Sequence, residues 1–246
     1  MTGTVPGGFL FDYGGTLVEE MGFDVQAGNQ WLLSRASYCP PNVGIEEVLM
    51  CAGRITSEVA ERRDEMQLET PWPALTKLIH DFLGVRFDLP LSELEMGFWK
   101  AAARTKPMPG VRLALEQFRE WGIPLGVVSN TSFSEPVIRY ELGKHGLAEY
   151  LNVIVVSAEY AVRKPNPLLF DTAAARLGKL ASAIWFVGDR LDTDIAGAKA
   201  AGMTGAWFNR SNTQDPARTA DYVFADWKEL VLHTSRLAKF RLGHNK

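Results

Sequence analysis

Five runs of this sequence are almost continuously apolar: GFLF at residues 8–11, IPLGVVS at 123–129, NVIVVS at 152–157, AIWFVG at 183–188 and GAWF at 205–208. A strand with one wet face alternates apolar and polar residues. Runs without alternation therefore predict strands covered on both faces, as in a parallel sheet between two layers of helices. A weaker sixth run, DYVF at 221–224, predicts a further strand. Between these runs lie GVRLALEQFREWG, SEPVIRYELGKHG, PLLFDTAAARLGK and TDIAGAKAAG, each of helical length and closing with a glycine suited to a helix C-terminus. Strand and helix in repetition predict an α/β fold with a doubly wound, parallel, Rossmann-like sheet.

Residues 20–105 break that rhythm. Their periodic segments, around 24–37, 45–66, 73–83 and 91–104, read as helices separated by CPPN, TPWP and DLP. This shift predicts a helical insertion after the first strand, forming a smaller module over the carboxyl edge of the sheet. The tail RLAKFRLGHNK is basic but short and reads as a solvated or frayed end.

The rest of the composition narrows the function. The chain is 46% hydrophobic and 22% charged, as in ordinary globular proteins, and its net charge of −3 gives no general attraction to nucleic acid or anionic membrane. Cys39 and Cys51 have no metal-ligand spacing and read as buried thiols. MTGTVPGG lacks the basic start and apolar stretch of a secretory signal, and no apolar run approaches the ~18 residues of a membrane span, so a cytoplasmic location is expected.

Open parallel sheets bind ligands where strands end at the carboxyl side. Asp12 follows GFLF, Ser129 and Asn130 follow GVV, Lys164 follows NVIVVS by a short loop, and Asp189 follows IWFVG. Each alone has a structural reading. Asp12 and Asp189 could cap the following helices, Ser129 and Asn130 could open a turn, and Lys164 could be a solvated charge before Pro165. Together they suit chemistry: paired carboxylates can hold a divalent cation, and a hydroxyl with an ammonium can bind phosphate.

The order and context of FDYGGTL, VVSN, RKPNP and VGDRLDTDIAGAKAAG resemble the four motifs of the haloacid dehalogenase-like (HAD) hydrolase superfamily. The resemblance implies an α/β core over residues 1–19 and 106–246 and a helical C1 cap over 20–105. It implies Asp12 as a nucleophile forming an aspartyl-phosphate, with Mg²⁺ held by Asp12, the Gly14 carbonyl, Asp189 and Asp194. Ser129, Asn130 and the backbone amides after Ser129 would bind phosphate, and Lys164 would hold phosphate and nucleophile together. Thr16 and Gly15 fit a turn leading toward the cap, while Arg190 and Asp192 read as loop residues.

Gly14 departs from the family pattern, which usually has an aspartate there as the acid/base group. Glycine keeps the carbonyl and lacks the acid, which predicts slow hydrolysis of phosphoesters, since positioned acid/base catalysis contributes about 10²–10⁴ in rate. Tyr13 is expected on the opposite side by strand alternation. Three functions follow: a slow phosphatase acting on a small phosphorylated metabolite, a carbon–halide hydrolase, or an inert phosphate-binding relative. In the cap, Trp31, Trp72 and Trp99 read as packing residues and Arg62 and Arg63 as solvated, with Arg35 or Arg54 the candidates to meet a substrate anion. None of the four histidines falls in a motif. AWFN at 206–209 is similar to a stretch of nucleotidase-like members and equally suits a core strand.

Overall fold

The computed structural model describes residues 5–215 and 217–243. The start of the expected leaderless N-terminus, MTGT, and the end of the basic tail with His244 lie outside the described residues. The chain forms β1 (Gly8–Phe11) and β2 (Val18–Phe23), then four helices, α1 (Val25–Leu33), α2 (Ile45–Glu65), α3 (Trp72–Leu83) and α4 (Leu91–Ala102), and returns along β3 (Ala103–Pro107). It continues through α5 (Val111–Glu120), β4 (Leu125–Ser129), α6 (Glu135–Lys144), β5 (Val153–Val156), the single turn α7 (Ser157–Tyr160) and α8 (Pro167–Leu177). The last part is β6 (Ile184–Gly188), α9 (Ala196–Ala200), β7 (Thr204–Phe208), β8 (Tyr222–Phe224) and α10 (Trp227–Gly243).

All six expected strands join one sheet in the order β5-β4-β1-β6-β7-β8, with every neighbouring pair parallel. The alternation of β1 divides its side chains between two apolar layers. Phe9 and Phe11 pack on one face with Phe118, Val127 and Trp227, and Leu10 on the other with Val128, Phe170 and Phe186. Burying each phenylalanine contributes about 1.5–3 kcal/mol relative to exposure. Local signals set the helix ends: for α8, the Leu168 N–H donates to Asn166 Oδ1 at 3.1 Å, Pro167 takes the first position, and Gly178 closes the helix at φ 68°. Chain order reverses beside β1, with β4 and β5 on one side and β6, β7 and β8 on the other. The crevice at the carboxyl ends of β1, β4 and β6 is the place such a sheet offers a ligand.

Several elements differ from expectation. β2 and β3 pair as an antiparallel ribbon with a bulge between Glu20 and Gly22, and the expected boundaries at 19/20 and 105/106 fall inside it. VEEMGF and ARTKP carry too little apolar patterning to reveal strands. The helices expected over 24–37 and 91–104 end at Leu33 and Ala102, and the segment after Asp189 begins as a π-helical turn over Leu191–Ile195. RLAKFRLG, read as a solvated or frayed end, continues α10, whose first turn buries Trp227 and Leu230 against the sheet. Cys51 is buried as expected, whereas Cys39 is only half-buried. No helix among the described residues is long and apolar enough to cross a membrane.

The helices α1–α4 rest on the carboxyl edge through polar ties. The loop between α2 and α3 bridges the core at Leu68 and Val162, with the Glu69 N–H donating to Ala161 O at 3.1 Å and the Arg163 N–H to Gln67 O at 2.8 Å. The buried Glu69 carboxylate accepts from Ser157 Oγ at 2.6 Å, Arg163 Nη1 at 2.8 Å and Ser132 Oγ at 3.2 Å. Glu95 of α4 accepts from the Ser134 N–H at 2.8 Å and its hydroxyl at 2.6 Å. Buried carboxylates need such partners, because an unpaired one carries a penalty of several kcal/mol.

Candidate active site

Asp12 stands where β1 runs out, its N–H donating to Val187 O at 2.8 Å. Phe11 pairs in register with Val187, so the chain leaving β6 delivers Asp189 beside Asp12. Gly15 makes this approach possible. Its φ is 79°, and a Cβ there would lie 2.4 Å from Asp189 Oδ2. Asp194 comes from the π-helical turn, a distortion that re-aims side chains at functional sites, and its Oδ2 accepts from the Arg190 N–H at 3.1 Å. Carboxylate oxygens of Asp12, Asp189 and Asp194 all lie within 4.8 Å of one another.

Lys164 sits between two of these acids. Its Nζ lies 2.5 Å from Asp12 Oδ1 and 2.7 Å from Asp194 Oδ1 and donates to Val128 O at 3.0 Å. An ammonium has three N–H donors, so all are engaged. A phosphate oxygen could bind Lys164 only by displacing one of these partners. Burial opposes the Lys164 charge, but Asp12 and Asp194 outweigh it and hold its pKa above the ordinary lysine value. Asp12 is pushed up to about 7, chiefly by burial; Lys164 opposes the shift and Asp194 adds to it. Asp189 is also raised, by burial first and by Asp194 second. Both upward shifts have one origin: three carboxylates share one cation in a place with little water.

The Asn130 side chain is tied to the loop that carries Lys164. It accepts from the Lys164 N–H at 2.7 Å and donates to Lys164 O at 2.9 Å, fixing that loop. The next amide, that of Thr131, donates to Ser157 Oγ at 2.8 Å. Ser129 is buried and lines the cavity beside Asp12. Trp207 of the AWFN stretch is a core residue whose Nε1 donates to Asp189 O at 2.9 Å, and Thr16 Oγ1 approaches Asp189 Oδ1 at 3.5 Å. The aromatic strand end thus also steadies an acid of the cluster.

Asp12 and Lys164 open onto a cavity of about 970 Å³ between the sheet edge and the helical insert. Tyr13 borders it, while its ring packs in the same apolar layer as Phe9 and Phe11, the side that alternation gives it. Its hydroxyl is buried without a hydrogen-bond partner among the described residues, and burial, with nearby carboxylates, drives its pKa upward. Arg35 and Arg54 do not reach the cavity; they lie over Trp31 and Phe82. Trp72 packs with Phe98 and Phe133 as expected, whereas Trp99 also lines the cavity. Arg190 and Asp192 line it as a pair with an Nη2–Oδ2 distance of 2.9 Å, which the loop reading missed.

Glu20 and Arg163 line the cavity too, and sequence reasoning passed over both. Arg163 was signalled by its place in RKPNP. Glu20 carried no signal, since only the bulged ribbon brings it back to the loop after Asp12.

A sequence profile of the haloacid dehalogenase-like hydrolases matches residues 7–202. The chain belongs to this family. This HAD-like hydrolase is 41% identical over 114 residues to the glyceraldehyde 3-phosphate phosphatase of Methanopyrus kandleri, covering 46% of this chain and 48% of that one. It is 32% identical over 127 residues to an (S)-2-haloacid dehalogenase of a Pseudomonas strain, covering 51% and 54%. The HAD-like chain thus spans about half the length of these curated relatives. Its fold matches the crystal structure of a HAD phosphatase from Thermococcus onnurineus with a TM-score of 0.62 and 27% identity, covering 91% of this chain and 95% of the other.

Proposed function

We propose that this HAD-like hydrolase is a cytoplasmic, Mg²⁺-dependent phosphatase of small phosphorylated metabolites, with Asp12 as nucleophile and residues 20–105 as its cap. The observation that carries the reading is the gathering of three carboxylates within 4.8 Å around a single buried ammonium. Fully ionised, that group keeps two negative charges in excess, which suits a hard divalent cation with oxygen ligands. Asp12, Asp189, Asp194 and the Gly14 carbonyl would hold it. The ion supplies charge neutralisation, without which a carboxylate meeting a phosphate dianion is repelled. The phosphatase names among the relatives support the substrate class.

The residues then divide the work. Asp12 attacks phosphorus and becomes an aspartyl-phosphate that water opens. Lys164 holds Asp12 and Asp194 in place, and Asn130 holds Lys164. Ser129 offers its hydroxyl to a phosphate oxygen. Carbon–halide hydrolysis is the second reading, and the convergence of Asp189 and Asp194 on Asp12 disfavours it, because two further carboxylates would repel a departing halide.

A panel of phosphate esters and acyl phosphates, assayed with and without Mg²⁺, tests the proposal. Mg²⁺-dependent release of phosphate is expected. Tight phosphate binding with no turnover on any substrate would point instead to an inert relative, and release of halide from 2-haloacids to the second reading.

Metal affinity should depend on pH. With the Asp12 pKa at about 7, pH 6 leaves that carboxyl about nine-tenths protonated, and a ligand must be deprotonated to bind. Titration of the metal-free protein with Mg²⁺ is expected to show affinity about tenfold lower at pH 6 than at pH 8. Equal affinities would remove Asp12 from the ligand set.

A further inference from the structure

We propose that Glu20 supplies the proton-transfer carboxylate of this site, an inference that rests on the phosphatase reading. An alkoxide leaving group needs a proton and the attacking water must lose one, so a carboxyl group beside Asp12 and free of other duties is required. Four carboxylates line the cavity: Asp12, Glu20, Asp192 and Asp194. Lys164 binds Asp12 and Asp194, and Arg190 binds Asp192. Glu20 alone among them pairs with no cation within the described residues, while its neighbour Glu19 lies 3.3 Å from Lys106 and 3.7 Å from Arg210.

The position of Glu20 is set by the fold. A Cβ built on Gly14 would lie 3.0 Å from Glu20 Oε1 and 3.3 Å from its Cδ. The Glu20 carboxylate therefore borders the space that a side chain at position 14 would enter. Two backbone hydrogen bonds hold the start of the strand there: the Gly15 N–H donates to Val18 O at 2.8 Å and the Val18 N–H to Tyr13 O at 3.0 Å. The bulge between Glu20 and Gly22 then turns the strand, as bulges beside active sites do.

In the first step Asp12 forms the bond to phosphorus, the bond to the leaving oxygen breaks, and that oxygen takes the proton of the Glu20 carboxylic acid. In the second, water attacks phosphorus and gives a proton to the Glu20 carboxylate. The bond from phosphorus to Asp12 breaks, releasing inorganic phosphate and restoring both acids.

Glu20→Gln keeps size and hydrogen bonding but moves no proton. With Mg²⁺ present, its steady-state turnover of an alkyl phosphate is expected to fall by about 10²–10⁴. On p-nitrophenyl phosphate, whose leaving group needs no proton, it should give a burst of one equivalent of nitrophenol per chain. The trapped phosphoryl group should be visible in the mass of the intact protein. Gly14→Asp in the Glu20→Gln background should restore turnover, whereas Gly14→Asp alone crowds two carboxylates and should gain little. Glu20→Gln with turnover within twofold of native and no burst would overturn the inference and leave the phosphatase reading standing. A native protein that hydrolyses nothing in the panel overturns both.

Discussion

Asp12→Asn is expected to abolish phosphoester turnover, by at least about 10⁴-fold, since removal of a catalytic nucleophile is among the largest single losses an active site can suffer. The fold should tolerate the change. Asp12 is buried, and its pKa of about 7 lies above the ordinary carboxylate value, so in the metal-free protein its ionised form opposes folding. The sign follows from linkage. A carboxyl raised by folding contributes fully below its unfolded pKa, and that contribution is lost as pH rises through about 7. At pH 8 without divalent ions, the asparagine variant should therefore melt at or above the native temperature while failing to turn over. Activity within tenfold of native would assign the nucleophile elsewhere, and a collapse of melting temperature would show that Asp12 holds the site together by its charge.

Lys164→Met should have the largest effect on stability. The ammonium is the partner of Asp12 and Asp194 in a nearly water-free place, and removing one member of a buried ionic group costs about 3–5 kcal/mol. Methionine fills the space and leaves the carboxylates to repel one another. The loss should be large at pH 8 in chelator and smaller at pH 5.5, where the acids can take up protons. Urea unfolding at the two pH values measures it. A cost below about 1 kcal/mol at pH 8 would mean that the ammonium is not what balances the acids. Turnover should vanish as well, because Asp12 loses the contact that aims it.

The core was legible because burial on both faces leaves a mark that few other environments leave. GFLF, AIWFVG and the other apolar runs could hardly be anything but covered strands, and the polar residues that stop them had to share the carboxyl rim. Asp12, Asp189 and Lys164 were singled out by that position and Asp194 by the motif resemblance, and the structure brings the four side chains together. What escaped was written in geometry that polar residues do not announce. The β2–β3 ribbon is rich in charged residues and lacks the apolar pattern that marks a covered strand, so Glu20 was hidden within VEEMGF. The position of Asn130 and Thr131 after β4 also gave no sign that the Asn130 side chain ties down the Lys164 loop or that the Thr131 N–H donates to Ser157.

The parallel pairing of Phe11 with Val187 has a further consequence. Side chains along a strand reverse direction at every step, so sliding β1 against β6 by a single residue would turn Asp12 away from Asp189 and disperse the acids. The central seam therefore works as a gauge that fixes how far apart opposing charges stand. Changes deep in the hydrophobic layers, remote from any polar atom, can then detune the chemistry by shifting that seam.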